Sequence, residues 1–156
     1  MGIFMCYVVY ISTDSPEDLE KRSTELVRFE KLSDPITDPC TALLEFGNRW
    51  FVGSKSQCSC TFRHSSSFDL GFSEPVDWYP EEQDQIDATR ELYSTLDDLL
   101  SSGYRVDLID LWNGTQPQDI ASSEVSCDVV SSTQFRMFEN HRFRLTKGSL
   151  SRESPD

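Results

Sequence analysis

The chain has 156 residues, 37% hydrophobic and 12% aromatic, with 14 Lys and Arg against 27 Asp and Glu and a net charge of −13. One domain of that length buries about two-thirds of its unfolded surface and folds without a disulfide or metal staple. The acidity repels nucleic acid and anionic membranes. Its plainest reading is solubility, with a basic protein partner or nucleic-acid mimicry as the alternatives.

No run approaches the roughly 20 apolar residues of a membrane helix. Residues 1–12 carry an apolar run without a basic leader or cleavage site, so the expectation is a soluble, cytoplasmic protein. Five cysteines are an odd number without disulfide-scaffold spacing, which predicts reduced thiols.

Residues 4–11 are apolar on both alternating faces and rich in β-branched and aromatic side chains. They predict a central strand covered on both sides. Ser15, followed by Pro16, Glu17 and Asp18, predicts a capped short helix ending near Arg22. Residues 26–29 read as a second strand, and residues 33–39, with Pro35 and Pro39, as a loop. Residues 43–46 and 50–53 read as strands around a turn at Gly47-Asn48. A turn at Lys55-Ser56-Gln57 then leads into a strand over residues 58–64.

Residues 65–78 are polar and irregular, long enough for a flap. Pro80 opens the main helix, with Ile86, Thr89, Tyr93, Leu96 and Leu100 as its apolar stripe. Asp84, Asp87, Glu91 and Asp98 form its opposite stripe, a solvated face, and Gly103 is its C-terminal cap. Residues 104–112 form a strand ending at the turn Asn113-Gly114. Within residues 116–132 a short helix is expected around residues 119–123. Residues 135–145 predict a hairpin turning at Glu139-Asn140, and residues 149–156 a disordered tail. Arg136, Arg142, Arg144, Lys147 and Arg152 make the C-terminal part basic, to pair with the acidic helix or to form a small anion-contacting edge. The sum is a single α+β domain over residues 1–148, with a mixed or largely antiparallel sheet and one main amphipathic helix packed on it.

In an extended strand Cys58, Cys60, Phe62 and His64 share one face. Cys58, Cys60 and His64 are candidate ligands for a borderline metal, with zinc as the candidate cofactor and Cys6, Cys40 or Cys127 as the source of a fourth ligand. The spacing opposes this. One intervening residue in a strand sets the sulfurs about 7 Å apart, which a turn would relieve. The alternatives are small buried packing residues beside Phe62, or reactive thiols whose pKa His64 lowers. Cys58, Cys60 and Asp110 are the candidate catalytic residues. Asp110 reads as a general base or hydrogen-bond anchor, or as an acid capping the Asn113-Gly114 turn. His141 reads as an exposed turn residue among arginines. Trp78, Tyr79 and Trp112 line a pocket or close a core. Dinucleotide, phosphate-loop, serine-hydrolase, zinc-protease and calcium-loop motifs are absent from the sequence.

Residues 51–64, a strand followed by C-x-C-T-F-R-H, resemble a pattern in small uncharacterised bacterial proteins. Those pair a C-x-C segment with a later acidic helix and a strand ending in tryptophan, here Leu108 to Trp112. The resemblance covers a minority of the chain and implies no activity. Two functional readings follow from the residues. The first is a small non-enzymatic interaction or accessory protein with a protein partner, of undetermined oligomeric state. The second is a thiol-redox or metal-thiolate protein built on Cys58, Cys60 and His64, using the Cys58-Ser59-Cys60 segment.

Overall fold

The computed structural model describes residues 6–32, 38–55, 58–65, 82–112, 114–126 and 137–147. The expected flap, the tail, Trp78, Tyr79, Cys127, Arg136, Arg152 and most of the 33–39 loop lie outside them. The regular elements are β1 (Tyr7–Thr13), β2 (Val27–Lys31), β3 (Asn48–Ser54), β4 (His64–Ser65), α1 (Gln83–Ser101), β5 (Val106–Trp112), β6 (Ala121–Ser126), β7 (Met137–Phe138) and β8 (His141–Thr146). Among the described residues, six strands form one mixed sheet in the order β2-β3-β1-β5-β8-β6. Neighbours run antiparallel except β6 and β8, which are parallel. This is the α+β architecture expected, with the first strand inside the sheet.

The two-sided apolar pattern of β1 and β5 explains their central place. Val9, Ile11, Val106 and Leu108 join one core with Ala88, Leu92, Leu96 and Leu99 of α1. Val8, Tyr10, Ile109 and Leu111 meet Cys40 and Leu44 on the other side, under a 3-10 turn at Pro39–Leu43. Leu92 and Leu96 are fully buried, and each such side chain contributes about 1.5–3 kcal/mol of transfer free energy.

Both ends of α1 are closed by hydrogen bonds. Glu82 N–H donates to Gln85 Oε1 at 2.8 Å. At the C-terminus Gly103 takes φ 93°, Tyr104 N–H reaches Leu99 O at 3.1 Å and Gly103 N–H reaches Leu100 O at 3.0 Å. That pair of bonds is a Schellman closure. On the outer side Lys55 pairs with Asp84 at 2.8 Å, Lys147 with Asp97 at 2.9 Å and Arg22 with Asp98 at 3.0 Å. Of the basic C-terminal residues described, Lys147 reaches the acidic helix. Arg142 and Arg144 instead meet Glu45, and Arg142 also meets the buried Asp107. No helix among the described residues is long and apolar enough to cross a membrane.

Five local expectations are corrected. The helix after Ser15 is a 3-10 turn at Leu19–Arg22, capped by the Asp18 side chain. Residues 43–46 are not a strand, because Asp38 caps the 3-10 turn beginning at Pro39. Residues 58–62 bend and turn, leaving only His64–Ser65 extended. The helix expected around residues 119–123 is a 3-10 turn at Pro117–Asp119 followed by β6. The chain does turn at Glu139-Asn140, with Asn140 at φ 59°. However, β7 pairs with β4 and β8 with β5 and β6, and among the described residues no ladder joins β7 to β8.

Candidate metal centre

The site sits where β3 leaves the sheet and β1 begins. The register of β1 with β3 runs from Thr13↔Asn48 to Val9↔Val52 and stops there. Ser59 takes over the vacated positions. Its hydroxyl accepts Val9 N–H at 2.9 Å and donates to Val52 O at 2.6 Å. Ser54 holds the same turn from the other side, its N–H and its hydroxyl both donating to Cys58 O, at 2.7 and 2.6 Å. Thr61 N–H donates back to Ser54 Oγ at 3.0 Å, and Arg63 N–H to Thr89 Oγ1 on α1 at 2.8 Å. The turn is thus fixed through buried polar groups to β1, β3 and α1.

The turn folds Cys58 and Cys60 back toward each other, and Cys6 arrives beside them from the start of β1. The Sγ atoms of Cys6, Cys58 and Cys60 all lie within 4.8 Å of one another, and all three residues are half-buried. None of the three is in a disulfide. Tetrahedral zinc with Zn–S bonds of about 2.3 Å needs sulfurs about 3.8 Å apart, a spacing compatible with the 4.8 Å limit within which these three lie. The expected 7 Å separation does not apply, because the segment is a turn and not a strand.

Cys60 is the central sulfur. Burial pushes its thiol up to about 12, hydrogen bonds with Cys58 and Cys6 push the same way, and the Tyr7 backbone N–H opposes them. A thiol raised that far is a poor nucleophile at neutral pH, since the thiolate is the reactive form. A metal ion changes this balance by displacing the proton.

His64 does not join the sulfurs. It is buried, with Nδ1 2.6 Å from Asp110 Oδ2 and Nε2 2.6 Å from Ser59 O. Its ring stacks on Tyr7 at 3.8 Å between centroids and 3° between planes. The expected thiolate–imidazole ligand set is therefore corrected: Cys6 stands with Cys58 and Cys60, and His64 stands behind them. Ser59 O can only accept, so Nε2 carries a proton, and a second proton lies between Nδ1 and Oδ2. Asp110 is fully buried, and burial holds its carboxyl above the usual range against the opposing pull of His64. Its Oδ1 has no hydrogen-bond partner among the described residues. Of the readings the sequence offered for Asp110, the hydrogen-bond anchor matches its contact with His64; Trp112 N–H at the end of β5 donates to Asn140 Oδ1 at 3.0 Å.

Cys40 is remote from the trio, donating from Sγ to Thr115 O at 3.3 Å. His141 is buried at the start of β8, and not exposed as expected, with Nε2 2.8 Å from Ser123 Oγ and its ring stacked on Phe143. Trp112 meets Tyr7 edge-on at 4.8 Å. Tyr7 also donates from its hydroxyl to Glu139 Oε1 at 3.1 Å. Sequence reading missed Ser59 and Tyr7 as members of the site. The available signal was their position, one between two cysteines and the other directly after a third. No protein family matches the chain, and no curated protein or solved structure matches it either.

Proposed function

We propose that this chain is a small non-enzymatic accessory protein whose Cys6, Cys58 and Cys60 thiolates hold one thiophilic metal ion, with zinc the best fit. The observation that carries the reading is the three sulfurs within 4.8 Å of one another, drawn from two distant parts of the chain. Thiolate sulfur suits zinc and monovalent copper far better than magnesium or calcium. The turn that presents two of the sulfurs is already fixed by buried hydrogen bonds, so little ordering remains for the ion to impose. The convergence of three sulfurs favours metal binding over the thiol-redox alternative. The net charge of −13 favours a protein partner over nucleic acid.

Cobalt(II) reports on such a site through its sulfur-to-metal charge-transfer absorption in the near ultraviolet. Titration of the reduced protein is expected to saturate at one equivalent, and zinc is expected to displace the cobalt. Cys6→Ser, Cys58→Ser and Cys60→Ser each weaken the band, whereas Cys40→Ser leaves it unchanged. A titration without a charge-transfer band, or one insensitive to Cys6→Ser, contradicts the reading.

A further inference from the structure

Asp110 and His64 make an expensive arrangement. The carboxyl is fully buried, on the sheet face that carries Val106 and Leu108, with one oxygen unpartnered among the described residues. A buried pair of this kind adds little stability compared with apolar residues of similar size. Its contacts suggest another purpose. The Nε2–H of His64 holds the carbonyl of Ser59, the one residue between Cys58 and Cys60. The ring face holds Tyr7, which follows Cys6 and directs its backbone N–H at the Cys60 sulfur. One imidazole therefore touches both arms that bring sulfur to the site.

We infer that Asp110 and His64 are positioning residues of the thiolate centre: Asp110 fixes the His64 ring with its N–H on Nε2, and that N–H fixes the Cys58-Ser59-Cys60 turn. The inference rests on the metal-thiolate reading for its first readout and has a second readout that does not. Groups that orient metal ligands typically change affinity roughly 10–100-fold when removed. The side chains differ in what they can replace. Asp110→Leu keeps the volume and loses the bond to Nδ1. His64→Phe keeps a ring against Tyr7 and loses the bond to Ser59. Asp110→Asn can donate its amide N–H to Nδ1, which leaves the ring proton on Nε2, where Ser59 needs it.

The test measures zinc affinity by competition with a chromophoric chelator, in variants first checked for folding by circular dichroism. Asp110→Leu and His64→Phe are expected to bind zinc roughly 10–100-fold more weakly than the parent, and Asp110→Asn within about threefold of it. Parent-like affinity in Asp110→Leu or His64→Phe overturns the inference. So does a loss in Asp110→Asn as large as that in Asp110→Leu, which would make charge and not orientation the cause. If neither apolar variant folds, Asp110→Asn decides alone: parent-like affinity supports the inference, and a loss above about tenfold overturns it. If the parent binds no zinc, the metal reading fails on its own, and iodoacetamide labelling of the metal-free proteins decides the positioning role. Faster labelling of Cys58 and Cys60 in His64→Phe, with Cys40 unchanged, supports it. Unchanged rates overturn it.

Discussion

Ser59 is fully buried, with its hydroxyl bridging β1 and β3 and its carbonyl on the His64 ring. Ser59→Ala would leave the Val9 N–H and the Val52 carbonyl without that partner, and an unsatisfied buried polar group costs about 1–3 kcal/mol. The urea midpoint is expected to fall accordingly with little change in the slope of the transition. An unmoved midpoint would show that the hydroxyl is dispensable. At this scale the site was half legible. Cys58 and Cys60 were visible as a pair, and Cys6 as one possible ligand among three. The exclusion of His64 was not visible, because strand alternation aims residues 58, 60, 62 and 64 one way. Ser54 and Ser59 instead hold the segment in a turn through hydroxyl bonds to the backbone that no apolar pattern records.

The elements followed from periodicity wherever one face had to be buried. The stripe of α1 and the two-sided apolar runs of β1 and β5 put the sheet centre and its helix where the sequence indicated. The misreadings fall on short segments held by polar side chains. Asp18 and Asp38 each cap a 3-10 turn, and β6, half exposed and serine-rich, carries no apolar alternation to announce it. Two predictions belong to elements. Gly103 has open space around a would-be Cβ but sits at φ 93°, so Gly103→Ala is expected to cost about 1–2 kcal/mol through backbone conformation alone. Chemical denaturation measures this, and a loss below a few tenths would remove the Schellman closure from the account. His141 joins β8 to Ser123 of β6, and burial lowers its pKa below the usual histidine value. The unfolded chain then takes up the proton first, near pH 6.5, so His141 contributes stability at higher pH that is lost as pH falls below that value. His141→Gln is expected to lose less stability than the parent between about pH 7 and pH 5. Equal losses in both proteins would contradict the assignment.

For the whole molecule, charge and architecture divide the labour. The helix side of the sheet is a large apolar core, and on the surface Arg22, Lys55, Arg142 and Lys147 pair with Asp98, Asp84, Glu45 and Asp97. The thiol trio lies at the margin of that core, where the Cys58–Cys60 turn continues the sheet that β3 has left. An ion there would link the start of β1 to the residues between β3 and α1, joining parts of the chain that hydrogen bonds already bring together. The most direct measurement is the intact mass of the reduced protein with one equivalent of zinc, taken under native and then denaturing conditions, for the parent and for Cys6→Ser. The account predicts one zinc ion on the native parent, lost on denaturation, and little or none on Cys6→Ser. A native parent with the mass of the metal-free reduced chain, or a Cys6→Ser protein that keeps its zinc, would contradict it.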